Sequence, residues 1–457
     1  MSPLVPLVMF GWIPVVLYIF MRLPAQRALI ISFIVAWLFL PLAEYKLPGI
    51  PAYTKMSATC YGILLATIIY DVGRFSLFRP GWLDLPMLIW CLCPFASSIT
   101  NDLGLYDGFS ATLGQTVTWG APYFLGRIYL NNLTGLRQLA IGIFVGGLIY
   151  VPLCLYEVRI SPQLHQMFYG FNPHLNLAQA IRYGGYRPSV FMQDGLMVGV
   201  WMMTATLIGI WLWQTKVIKQ LWGIPISWLV VVLLLTFVLC KATGAYILLI
   251  FGLAILFIAK WFRTAFPLLL LIVSISSYLY LGASGNFPGT QIVSYMSQVF
   301  NAERIGSVQF RFDNELILGE RARQKIVFGW GGFGRSRVYN EFGKDISVTD
   351  SLWMIALGTN GIVDLSSLTA SLLLPVSFFW LRYPSSSWSH PKLAPAAVLA
   401  VALTLYMLDC VLNAMINPIF ALACGGISGV VLKGTETNKL MGLRSSVVRR
   451  SLAQERQ

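Results

Sequence analysis

Residues 228–240 read WLVVVLLLTFVLC and residues 245–259 read AYILLIFGLAILFIA. Neither run carries a charge, and neither alternates apolar with polar positions. Runs of this texture, extended to about 20 residues, match the hydrocarbon thickness of a bilayer when helical. In hydrocarbon, each backbone group must pair within a helix or a closed barrel. A barrel would be written in short alternating segments, so these runs predict helices. Worked outward, the same texture gives thirteen candidate spans. They lie at 4–21, 28–45, 52–71, 82–99, 110–128, 137–156, 192–213, 221–240, 244–260, 265–282, 350–380, 393–415 and 417–432. The expected fold is all-α: a polytopic membrane protein of about 13 transmembrane helices with two long external loops. The larger loop is expected to be partly helical. The long 350–380 segment holds Asn360, Gly361 and Asp364, which points to a broken or tilted helix.

Composition agrees. Hydrophobic residues make up 57% of the chain and charged residues 11%, against roughly 25% charged in soluble domains. A net charge of +14 would suit nucleic acid only if the cations formed a continuous face with interleaved aromatics. Instead they punctuate short loops, as orientation signals do. Arg22 and Arg27, Arg74 and Arg79, Arg127 and Arg137, Lys216 and Lys219, Lys260 and Arg263, and Arg382 and Lys392 mark every odd-numbered loop. Odd loops and the C-terminus are therefore expected in the cytoplasm. Both long loops, 157–191 and 285–349, are even-numbered and fall together on the outer side. This divides the chain into a membrane domain, 1–434, and a basic cytoplasmic tail, 435–457, suited to lipid contact. No basic stretch precedes the first apolar run, so Pro6 to Phe20 is expected as a retained span. The seven cysteines all lie in or beside apolar runs, where free thiols behave as small hydrophobes.

The segment from Gly285 to Thr349 interrupts this pattern with eight Arg or Lys and six carboxylates. Loops of such length usually form lids or binding sites. Ile292, Tyr295, Met296 and Val299 repeat at helical spacing and suit the membrane interface. A second helical stretch is expected from Arg311 to Val327, followed by a turn-rich break at Gly329-Trp-Gly-Gly-Phe-Gly334. The chain has no Walker-type phosphate loop, and the glycine run lacks a strand–turn–helix setting. No Cys, His or carboxylate grouping has metal-ligand spacing. No metal and no cofactor are expected.

What remains is arginine. Arg187 closes the first long loop in Tyr186-Arg-Pro-Ser-Val-Phe191, and Arg311 lies within the second in Gln309-Phe-Arg-Phe-Asp313. A guanidinium offers a planar donor fork suited to phosphate or carboxylate oxygens. Two of them from separate loops can clamp a diphosphate. The plainer alternatives are ion pairs, Arg311 with Glu315 and Arg187 with Asp194. Lys241 is either a snorkelling anchor or an anion ligand. Thr349 or Asp350 can cap the following helix, and Asp350 can instead act as a base or orienting carboxylate.

Three patches resemble the O-antigen ligase and polymerase superfamily of integral-membrane glycosyltransferases. Arg187-Pro-Ser-Val-Phe191, leading into a span through Gln193 and Asp194, is similar to that family's arginine-plus-aromatic element after its first external loop. Thr243-Gly-Ala245 resembles a Ser-Arg-Gly-Ala element. Val327-Phe-Gly-Trp-Gly331, followed by Thr349 to Gly361, resembles the large external loop and the helix behind it. Two departures stand out. Asp350 occupies the usual histidine position, and Thr243 the usual arginine, with Lys241 nearby. The imidazole's role would then pass to Asp350 or to His165 or His174 of the neighbouring loop. The resemblance implies a polyprenyl-diphosphate-linked glycan donor, a glycan hydroxyl acceptor, and polymerisation or ligation at the outer face of a bacterial inner membrane. It implies Arg187, Arg311 and Asp350 as catalytic residues. Lys241, Tyr186, Arg323 and Trp330 are the candidates for substrate binding, with Tyr183 as a further aromatic. The alternative is a transporter of a small solute or anion, for which Gln115, Thr116, Asp364 and the Asp409–Asn413 pair are the polar groups within spans.

Overall fold

The computed structural model describes residues 2–46, 51–76, 78–173, 180–182, 184–298 and 302–433. His174, Tyr183 and the tail 435–457 lie outside these residues. Helices account for nearly all of the regular structure. In chain order they are α1 (Leu4–Arg22), α2 (Ala25–Phe39), α3 (Lys55–Tyr70), α4 (Gly73–Ser76), α5 (Leu85–Thr100), α6 (Leu105–Gln115), α7 (Ala121–Tyr129), α8 (Leu133–Arg159) and α9 (Leu164–Tyr169). Then come α10 (Gly195–Gln214), α11 (Ile226–Leu239), α12 (Thr243–Phe262), α13 (Phe266–Ser284), α14 (Gly289–Met296), α15 (Ala302–Arg323), α16 (Leu352–Arg382), α17 (Ala394–Leu412) and α18 (Pro418–Lys433). Two short antiparallel hairpins, 181–186 and 220–225, are the strands among the described residues.

Eight helices are long and apolar enough to cross a membrane, and four shorter apolar helices, α2, α3, α11 and α18, accompany them. The chain is thus an all-α membrane protein. The candidate span at 110–128 is a composite: α6 runs through a π-helical turn at Thr116–Gly120 into α7. α10 and α17 are wrapped by the others, with 89% of each membrane-length window buried. Small residues let their neighbours close in. A Cβ on Gly147 of α8 would come within 2.4 Å of Ala205 on α10, and one on Gly199 of α10 within 2.4 Å of Ala242. All seven cysteines are buried and free.

The bundle has two distinct ends. At one, Arg127 makes a two-pronged ion pair with Asp84, at 2.6 and 3.0 Å. At that end too, Arg137 reaches the carbonyl of Val217, and Ser385 that of Arg263. The opposite end collects both long loops. There Ser2 donates to Tyr169, Leu42 to His165, Asn101 to Gly329 and Leu352 to Asn413. Each long loop is thus tied to helix ends at this end of the bundle.

α16 is broken. Gly361 has φ 80° and ψ −167°, a conformation foreign to a helix. The backbone groups released there find partners in the large loop. Trp330 N donates to Gly358 O, Gly331 N to Thr359 O, and Ile362 N to Ile326 O, at 2.7–3.0 Å. Asn101, which follows α5, ties the loop to that helix by donating to Ser97 O and Gly329 O, Lys325 donates to its Oδ1, and Ser97 Oγ donates to Thr359 O of α16. A Cβ at Gly361 would lie 2.3 Å from the Val327 carbonyl oxygen. Gly361→Ala should therefore destabilise the protein by at least about 1–3 kcal/mol through the forced backbone alone, read as a lowered melting midpoint in detergent. An unchanged midpoint would mean that α16 is not broken there.

Candidate functional site

The end of the bundle that gathers the long loops carries two cationic groups and one cavity. The first group is built around Glu157, at the C-terminal end of α8. This carboxylate is fully buried. It accepts backbone N–H bonds from Leu164 at 2.9 Å, Ser189 at 2.8 Å and Val190 at 2.7 Å. Val190 has a positive φ of 52°, so the segment 187–191 turns sharply and depends on that anchor. Arg187 lies on the strapped segment, and its stem packs over the α-carbon of Gly195, the first residue of α10. Its guanidinium donates to the carbonyl of Lys241 at 3.5 Å. The Lys241 ammonium in turn lies against Gly185, where a Cβ would be 2.1 Å away. Arg187 and Lys241 therefore sit side by side. Tyr186 is half-buried on the hairpin beneath, paired with Ile181. Asp194 does not form the ion pair the sequence allowed with Arg187. It caps α10 instead, accepting from Leu196 N and Met197 N at 2.8 and 2.9 Å.

The second group centres on α15. Arg311 donates to the Leu412 carbonyl at the end of α17, at 3.2 Å. Among the described residues it forms no ion pair, so the alternative the sequence allowed, a bridge to Glu315, is absent. One turn on, Asn314 accepts from Val348 N at 2.8 Å and so fixes the segment that leads to Asp350. Arg311, Asn314, Glu315, Asp350, Ser351 and Leu412 line a narrow cleft of about 20 Å³, room for about one water. Asp350 is exposed at its rim. Neither Thr349 nor Asp350 caps α16. Ser351 holds the cap position, and the Thr349 hydroxyl accepts from Arg337.

The two groups meet through α10 and α17. Asp409, near the end of α17, lies within electrostatic reach of both Asp194 and Arg311. Its other oxygen accepts from Asn413 at 2.8 Å. Arg187 and Arg311 thus flank one pair of helix ends.

Glu315 also lines a larger cavity of about 330 Å³, with Gly282, Phe287, Phe312, Arg323 and Trp353. The Arg323 guanidinium lies against Gly285, so this candidate belongs to the cavity. Glu315 accepts from the Tyr278 hydroxyl at 2.6 Å, and burial holds its carboxyl above the ordinary carboxylate range. Trp330 stands apart from both. Arg321 stacks 3.3 Å from its ring centroid, Lys325 lies 4.8 Å away, and the indole N–H donates to Arg321 O at 2.8 Å. One ring face is already occupied by a guanidinium. His165 is buried among Tyr169, Phe171 and Phe191, accepting from Leu42 N and facing Phe171 O, so it serves the fold of the first loop.

Sequence reasoning missed Glu157, Asn314 and Tyr278. A lone acid at a span boundary is the only signal for Glu157, and nothing local marks the other two. Glu157→Gln would turn amide hydrogens toward backbone donors. It should cost about 1–3 kcal/mol and speed protease cleavage between residues 180 and 191. Unaltered cleavage would show that the segment is held by other contacts.

No protein-family model matches this chain, and neither does any curated protein.

Proposed function

We propose that the protein transfers a glycan from a polyprenyl-diphosphate-linked donor to a sugar hydroxyl at the outer face of the membrane. The observation that carries this reading is the convergence of Arg187, Lys241 and Arg311 on one pair of helix ends. Such a cationic set suits a diphosphate. Its developing charge during transfer is what fixed donors stabilise most. In the step, the acceptor oxygen bonds to the anomeric carbon while the bond from that carbon to the diphosphate oxygen breaks. The electron pair leaves with the diphosphate, and Asp350, at the rim of the Arg311 cleft, accepts the hydroxyl proton. The cleft must widen to admit the headgroup, because its present volume of about 20 Å³ holds none. The charge pattern of the loops supports an inner-membrane setting with the long loops outside and the C-terminus in the cytoplasm. Polymerisation and ligation differ only in the acceptor, and both fit this chemistry.

A second reading, solute transport, has one observation in its favour. Asp364 is fully buried one turn beyond the break in α16, where Asn360 donates to it at 3.0 Å. Broken helices with buried carboxylates are a common setting for coupling sites.

Reconstitution with a lipid-linked oligosaccharide separates the two. Chain growth with released polyprenyl diphosphate is expected from the wild type. Arg311→Ala should lower that rate by about 10²-fold or more while the protein remains in the membrane. Product at the wild-type rate in this variant would remove Arg311 from the reaction. Solute flux without glycan product would favour transport.

A further inference from the structure

The geometry points to the cavity between α13, α14, α15 and the first half of α16 as the site of the acceptor saccharide, with Glu315 orienting its reacting hydroxyl toward the Arg311 cleft. This rests on the glycan-transfer reading and assigns the partner it leaves open.

Four observations combine. The volume, about 330 Å³, lies at the small end of the roughly 300–1,000 Å³ typical of small-molecule sites. Its walls are aromatic: Phe287 and Phe312 meet at 5.2 Å between ring centroids, and the Trp353 ring closes one side. Sugar rings offer C–H faces to such walls and hydroxyls to polar groups. The polar groups are Gln309, Asp313, Glu315 and Arg323, which supply acceptors and donors together. Two carboxylates against one guanidinium make the cavity a poor place for a diphosphate and a good one for neutral hydroxyls. The donor headgroup and the acceptor are thereby sorted to opposite sides of Glu315.

Glu315 is the hinge of this arrangement because it lines both the cavity and the Arg311 cleft. Tyr278 donates to one carboxylate oxygen at 2.6 Å and fixes its direction. An acceptor hydroxyl entering the cavity meets this fixed carboxylate, which also lies beside the Trp353 side chain. A carboxyl held high by burial tolerates this partly dry position.

The test uses the full-length protein in nanodiscs. Its probe is the free oligosaccharide released by mild acid from the polyprenyl-diphosphate fraction of the source cell's membranes. This saccharide carries acceptor hydroxyls but no diphosphate, so it binds without turnover. Binding is followed by saturation-transfer NMR. Glu315→Gln should weaken it about tenfold, the loss expected for one hydrogen bond to a charged group. Leu316→Trp, on an exposed helix position facing the cavity, should weaken it by at least as much while leaving the melting midpoint unchanged. In the transfer assay, Glu315→Gln should raise the acceptor KM more than it lowers kcat. If wild type makes product while Leu316→Trp and Glu315→Gln bind saccharide normally, the acceptor site is elsewhere and the transfer reading stands. If wild type makes no product yet both variants lose saccharide binding, the cavity assignment stands and the transfer reading falls. No saccharide binding by wild type overturns the assignment.

Discussion

A helix interrupted within a bilayer must find new partners for the backbone groups it releases, because lipid offers none. In this chain the break at Gly361 is resolved by the segment 326–331, which donates to the carbonyls before it and accepts from the N–H groups after it. The large loop is therefore pinned into the bundle at its C-terminal half. α15 leads directly into that pinned segment, so its position is set from below. Arg311 reaches the end of α17 and Asn314 holds the segment before Asp350 because α15 is held there.

The same logic governs the shorter loop. Glu157 replaces three hydrogen bonds that water would otherwise make with backbone N–H groups. A buried carboxylate is costly unless so satisfied. Here the satisfaction comes from the segment that carries Arg187. A structural carboxylate, invisible in any direct contact with substrate, thus determines where a guanidinium points. Glu315 is held differently, by a tyrosine hydroxyl from a neighbouring helix, and faces open volume on two sides.

The electrostatic layout follows from these anchors. Arg187 and Lys241 share one wall, Arg311 another, and Asp194 and Asp409 lie between the helix ends that carry them. Like charges so close are tolerated because carboxylates and helix-terminal carbonyls are interspersed. An arriving anion would meet cations from both long loops at the rim and carboxylates deeper in.

Hydropathy is a local property, so the chain alone determined the helical membrane class and the irregularity near Gly361. Arg187, Lys241 and Arg311 were legible as candidates because arginine and lysine next to apolar runs are conspicuous. The ion pairs that the sequence offered as alternatives, Arg187 with Asp194 and Arg311 with Glu315, are not formed. Sequence proximity cannot register that Asp194 is more useful to the N-terminus of α10, or that Leu412 comes within reach of Arg311. Trp330 read as an open aromatic, and a guanidinium nine residues earlier in the chain covers it. Only tertiary packing decided that Glu157 straps one loop, that Tyr278 fixes Glu315, and that a cavity opens beside α15. The bonds of Glu157 to Ser189 and of Tyr278 to Glu315 join residues 32 and 37 positions apart, and that of Arg311 to Leu412 spans 101; no local pattern encodes which distant side chain fills a given space.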